Sequence, residues 1–307
     1  AAICVLAVLG LRPGVPWPAY LDGGWYAASA VGIARHGALR FPAPAGAEPV
    51  FVASLGDYRA AGMAFPSDPA RGFHAVALAA PEPGAPVATP YHPPLMAAYL
   101  AAWAARDPEQ LAAGVRLWAL AWLLGAAALA AALAGPAAAP LAAALLAAGP
   151  ALRLFGAQPY AEMAAGSLLL LGVHALLAAS RQPKPRPRLA LLAGLALGLS
   201  ALAKVDAVVG VAAAVAWWIW ARGRRAETAR VEGRWLAGGL ALPALHGAAL
   251  ASGPTEVYVR LNGWGVLELA RMHATWLAIA VVAGAALWLA AQRAGGMSPV
   301  AAAIGLG

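Results

Sequence analysis

Residues 180–222 read SRQPKPRPRLALLAGLALGLSALAKVDAVVGVAAAVAWWIWAR, and this stretch decides the class of fold. It opens on Arg181, Lys184, Arg186 and Arg188 with no acid, then runs apolar over 189–221, broken only by Lys204 and Asp206. As one helix rising about 1.5 Å per residue the run would reach about 50 Å, too long for one crossing of about 30 Å of hydrocarbon. Two short spans, 189–203 and 205–221, meeting at a polar hairpin fit it better.

Working outward, the same apolar character fills the chain. Of 307 residues, 62% are hydrophobic and 11% charged, and the mean hydropathy is +0.70. A soluble domain carries about a quarter charged residues, so an ordinary cytosolic enzyme is excluded. Disorder is excluded as well, because disordered chains are poor in apolar residues. Cys4 stands alone, which rules out an internal disulfide and a cysteine metal site. Further apolar spans fall at 113–134, 137–153, 162–179, 235–251 and 276–292. The pieces 24–38 and 93–105 are each about 20 Å long and are read as juxtamembrane helices that do not cross. Residues 1–11 and 299–307 look like the end and the beginning of two more spans, so the chain reads as one transmembrane domain, 1–307, cut at both ends. The expected fold is all-α: a polytopic transmembrane bundle over 113–307, with a long extracytoplasmic loop over 12–112.

Twenty-one Lys and Arg against thirteen Asp and Glu give a net charge of +8. Its location argues for one side of a bilayer rather than for nucleic acid. Short cytoplasmic loops collect Lys and Arg. The loop 180–188 holds four cations, and the loop expected at 222–234 holds Arg222, Arg224, Arg225, Arg230 and Arg234 against Glu227 and Glu232. Two spans separate these loops, so both can be cytoplasmic. Counting back puts the Gly135–Pro136 turn inside, and 154–161 and 12–112 outside. The long external segment has seven acids and six bases, the absence of bias expected of that side. Loops of such length in compact proteins usually carry function.

Polar residues at the outer ends of the spans are the candidates for chemistry, since charge near hydrocarbon is costly. Asp22 lies in PAYLDGGWYAASAVGIARHG, ahead of an apolar helix. It is either the N-cap of that helix or a functional acid, and Trp25 and Tyr26 either belong to an interfacial aromatic belt or line a site. Glu162, in FGAQPYAEMAAGSLLLL, complements a helix dipole or shares a site with Asp22 on the same side. His92 lies in YHPPL, where the two prolines set an extended approach and then start a helix. Arg116 and Lys204 stand at outer span ends. They either snorkel to the interface, with Lys204 paired to Asp206, or bind a lipid phosphate.

In their order along the chain these pieces resemble the GT-C superfamily of membrane glycosyltransferases, which includes protein O-mannosyltransferases and lipid A aminoarabinose transferases. The matching segments are LDGGWYAASAVGIARHG, YHPPLMAAYLAAW, the Arg116 helix, PYAEMAAGSLLLL and GLALGLSALAKVDA, within about residues 20–220. The resemblance implies a multi-pass protein of the plasma (inner) membrane with an extracytoplasmic active site. It also implies a polyprenyl-phosphate-linked sugar donor and a lipid, glycan or protein acceptor. It places Asp22 as general base and Glu162 at a second-loop acid where Asp is more usual. The chemistry of a departing phosphate then assigns Arg116 and Lys204 to hold it, with Tyr26 and His92 as further substrate-binding candidates. Gly23 stands where many members have a second acid, which weakens the carry-over of a metal site. A divalent cation stays an option and no other cofactor is implied.

Two other classes share this composition. A transporter or lipid flippase predicts interrupted helices with polar groups near the midplane, whereas these acids gather at span ends. A non-catalytic assembly subunit predicts acids without a shared site.

Overall fold

A computed structural model describes residues 1–11, 22–38, 41–42, 77–78, 87–88, 94–105, 110–222 and 226–251. All of them belong to the first of two units, Ala1–Tyr258. The expected span 276–292 lies outside the described residues.

Apolar runs become helices nearly where the sequence places them. In chain order these are α1 (Ala2–Leu9), α2 (Asp22–His36), α3 (Pro94–Ala104), α4 (Leu111–Ala134), α5 (Ala138–Ala148), α6 (Pro150–Phe155), α7 (Glu162–Ser180), α8 (Pro187–Ala203), α9 (Ala207–Arg222) and α10 (Ala226–Ala251). Three two-residue strands, β1 (Phe41–Pro42), β2 (Ala77–Leu78) and β3 (Val87–Ala88), pair antiparallel in the order β1-β3-β2. The described residues are therefore helical apart from this small sheet, placed in the Pro- and Gly-rich loop.

Two expectations need correction. The span 137–153 is not one helix: Gly149 is extended (φ −67, ψ 143) and separates α5 from α6. A residue before proline is pushed away from the helical region, and Pro150 then opens the next helix. The loop expected at 222–234 is mostly helix, because α10 begins at Ala226 and carries Glu227, Arg230, Glu232 and Arg234 in its first turns.

Among the described residues α4, of 24 residues, and α7, of 19, are long and apolar enough to cross a membrane. The apolar helices α5, α8 and α9 are shorter, at 11, 17 and 16 residues. Many large apolar side chains point outward, among them Leu117, Leu124 and Leu133 on α4, Leu171 on α7, and Val208, Val209 and Ile219 on α9. The buried interior mixes alanines, Ala119, Ala143, Ala164, Ala190, Ala193 and Ala203 among them, with larger side chains such as Leu100, Leu123, Leu176 and Leu197.

The closest helix contact joins α8 to α10, and the two run parallel. Gly194 meets Gly239, Gly198 meets Pro243, and Leu202 meets Gly247, each pair 45 positions apart. At the centre the backbones touch: a Cβ on Gly194 would lie 2.3 Å from the Leu236 carbonyl oxygen, and one on Gly239 would lie 2.5 Å from that of Leu191. Small residues permit this approach between apolar helices, where dispersion contacts replace hydrophobic drive. Pro243, inside α10, sets its ring against Gly198, so the position that breaks the helical ladder is also a packing contact.

The chain turns gather at two ends. At one, Arg181 donates to the carbonyl of Ala132, and Arg222 donates to those of Ala179 and Gln182. The end of α4, the 180–186 segment and the end of α9 thus lie together. At the other, Glu162 at the start of α7 meets Lys204 at the end of α8, and Arg116 near the start of α4 reaches Leu11 after α1.

Candidate functional site

Glu162 is the first residue of α7, following the fully buried Ala161. A carboxylate there faces unpaired N–H groups and the positive end of the helix dipole. Lys204 terminates α8 in an extended conformation (φ −151, ψ 125), and Val205 and Asp206 turn the chain into α9. Its own carbonyl accepts the N–H of Ala207 at 3.1 Å, closing the turn. The polar hairpin read at 204–206 is therefore present, and it carries the lysine to the mouth of α7.

Lys204 Nζ donates to Glu162 Oε1 at 2.6 Å, with the two side chains 23% and 24% exposed. Asp206 Oδ2 is 4.0 Å away and that side chain is 70% exposed. The nearer partner of Lys204 is thus Glu162, and the pair with Asp206 that the sequence offered is present as a longer, more exposed contact. A contact spanning 42 positions is invisible in local sequence. The second oxygen of Glu162, Oε2, is buried and accepts no hydrogen bond. Gln158 Oε1, four residues earlier, is likewise buried without a donor.

Of the other candidates, Tyr26 and Arg116 lie at the same end through one buried apolar cluster. It contains Tyr26, Val115, Ala161 and Ala203, together with Met96, Ala97 and Leu100 of α3. Arg116, Glu162 and Lys204 each directly follow a member of that cluster, and Tyr26, 3% exposed, is itself a member. Asp22 opens α2 one turn before Tyr26. The side chain of Asp22 and the whole of His92 lie outside the described residues. Arg116 Nη2 donates to the Leu11 carbonyl at 2.8 Å, which fixes the guanidinium while engaging one of its five N–H donors. Nearby on α3, Tyr99 donates to the Gly114 carbonyl at 3.1 Å and stacks edge-on against Trp118, with ring centroids 5.3 Å apart. Burial raises the Tyr99 phenol above its ordinary value despite the opposing hydrogen bond with Trp103, which keeps it a donor.

The opposite end holds a constellation that the sequence reading treated as loop charge. Arg222 and Glu232 are 1% and 0% exposed, and their contact is bidentate, with Nε to Oε2 at 3.0 Å and Nη2 to Oε1 at 2.8 Å. Arg222 Nη1 also donates to the Gln182 carbonyl at 2.9 Å, and the Arg186 backbone N–H donates to Glu232 Oε1 at 2.9 Å. Every member of this network has a partner, as a buried ion pair requires. The available sequence signal was an arginine closing an apolar helix with a glutamate ten residues on, near enough to pair once the second helix folds back.

No family model, curated protein or solved structure matches the chain. Among the described residues no three His, Cys, Asp or Glu side chains come together as a metal-ligand set.

Proposed function

We propose that the chain is a multi-pass membrane glycosyltransferase of the GT-C type. It would move a sugar from a polyprenyl-phosphate donor to an acceptor hydroxyl at the extracytoplasmic face. The observation that carries this reading is the half-buried Lys204–Glu162 pair, set at the end of the bundle beside the cluster that also seats Tyr26 and precedes Arg116. Outward-facing leucines on α4 and α7 support a lipid setting.

In this reading the chemistry divides among the residues by charge. The Asp22 carboxylate takes the proton of the acceptor hydroxyl, a role worth about 10²–10⁴-fold. The acceptor oxygen bonds to the anomeric carbon as the bond from that carbon to the phosphate oxygen breaks, and the phosphate leaves with the electron pair. Lys204 gives one of its three ammonium donors to Glu162 and keeps two for the phosphate. Arg116, held by Leu11, adds a second positive charge where negative charge develops. Glu162 positions Lys204, while Tyr26 and His92 shape the donor and acceptor sites. Asp22 and Glu162 would be the ligands of any divalent cation, and no step here is routed through one.

The test is consumption of a radiolabelled polyprenyl-phosphate sugar by proteoliposomes holding the full chain. Transfer or hydrolysis by the parent, abolished in Asp22→Asn at equal protein level, is the expected result. Sugar-lipid flux without turnover would replace this reading with a flippase, and full activity of Asp22→Asn would remove the proposed base.

A further inference from the structure

Lys184 and Arg188, on either side of the start of α8, and Arg230 and Arg234, on one face of α10, are all exposed and have no partner among the described residues. The parallel register of α8 and α10 draws them together. Arg186 N–H bonds Glu232 46 positions on, so residues 184–188 run alongside 230–234. Arg181 and Arg186 are exposed in the same segment, the first against the Ala132 carbonyl and the second against Gln182.

The charge on this surface is left uncompensated by the way the acids are used. The described segments 180–188 and 226–234 contain two carboxylates. Glu232 is fully buried and saturated by Arg222 and the Arg186 N–H, so it offers nothing to the exposed cations. Only Glu227 remains at the surface, against six exposed cations. Apolar side chains border the patch: Trp235 immediately follows Arg234, and Ile219 and Trp220 precede Arg222, all three exposed. Indoles favour the bilayer interface, where headgroup meets hydrocarbon. A lipid headgroup region meets hydrocarbon at such a border, and the outward-facing leucines and valines of α4, α7 and α9 continue the apolar surface beyond it.

We infer that the α8–α10 end, through Lys184, Arg188, Arg230 and Arg234, binds the phosphate headgroups of anionic phospholipids in the leaflet it faces. This rests on the membrane reading above and is independent of sugar transfer. The test uses the full chain in phosphatidylcholine vesicles containing either spin-labelled phosphatidylglycerol or spin-labelled phosphatidylcholine, measuring the immobilised fraction of each. The parent should hold phosphatidylglycerol several-fold more strongly, with the preference shrinking at high salt as screening shortens to about 3 Å at 1 M. Each charge removed should lower the preference by up to about fivefold. The quadruple variant Lys184→Gln, Arg188→Gln, Arg230→Gln, Arg234→Gln should therefore lose it, while Arg188→Lys, Arg230→Lys, Arg234→Lys should keep it. Equal immobilisation of both lipids by the parent, or an unchanged preference in the quadruple variant, overturns the proposal. So does displacement of the labelled lipid by free inorganic phosphate at millimolar concentration, which would make the site one for soluble anions. Retention of the chain in pure phosphatidylcholine vesicles separates failure here from failure of the membrane reading.

Discussion

Removing one partner of the Arg222–Glu232 pair should be among the most damaging single changes in the chain. In Arg222→Met, Glu232 keeps the Arg186 N–H but loses guanidinium bonds of 3.0 and 2.8 Å, and the carbonyls of Ala179 and Gln182 each lose the bond from Arg222, with Ala179 keeping the Gln182 N–H at 3.0 Å. A buried pair broken on one side costs about 3–5 kcal/mol, and the 0% exposure of Glu232 leaves solvent no way to relieve it. In the double variant Arg222→Met, Glu232→Leu no charge is stranded, and the residual cost, from the lost guanidinium bonds to backbone carbonyls, is about 1–3 kcal/mol. The double variant should thus be more stable than Arg222→Met by about 2 kcal/mol, the non-additivity expected of a buried pair in direct contact. Reversible unfolding in mixed micelles, with rising SDS fraction and the fluorescence of the twelve tryptophans as signal, measures the four proteins of the cycle: parent, Arg222→Met, Glu232→Leu and the double variant. If Arg222→Met lies within about 0.5 kcal/mol of the parent, as a surface change would, or if the two costs simply add, the pair is not the buried lock described.

Other positions give sharp contrasts. Gly194→Ala forces a Cβ to 2.3 Å from the Leu236 oxygen and should cost about 1–3 kcal/mol or more, whereas Gly238→Ala, with nothing within 4 Å, should be neutral or gain up to about 1 kcal/mol in the same unfolding assay. Lys204→Met should abolish sugar transfer, while Asp206→Asn, an exposed partner at 4.0 Å, should leave transfer within about twofold of the parent. Tyr99→Phe should cost about 0.5–1.5 kcal/mol through its bond to Gly114. Because burial raises the phenol above 10.0, that contribution is complete below pH 10 and disappears only as pH climbs through the folded-state value; melting curves across alkaline pH check the sign.

Helix positions were legible wherever a long apolar run met a polar stop. The limits of α2, α3, α4, α7, α8 and α9 fall within a few residues of those read from sequence, because Pro, Gly and charge punctuate the runs. Gly149–Pro150 was a readable break that the surrounding alanines masked. The start of α10 was missed because Arg and Glu were taken as marks of a solvated loop, although both are good helix formers. At the site, shared polarity of the span ends predicted that Glu162 and Lys204 would lie on one side. Their direct bond, like the Arg222–Glu232 lock, depends on which helices fold against each other, and no local pattern encodes that. The glycines at 194 and 198 were visible as a small-xxx-small pattern, but their partners 45 residues on were not.

The parallel seam between α8 and α10 also constrains how the chain can be made. Gly194 leaves the ribosome 45 residues ahead of Gly239, a gap of about 2–9 seconds at ordinary translation rates. Throughout that interval the groove along α8 has no permanent occupant, and α9, which ends at Arg222, is itself completed only 28 residues after Gly194. Final closure is therefore a late event in synthesis, and a ribosome stalled between Arg222 and Gly239 would hold a hairpin of α8 and α9 with its most closely packed face still open.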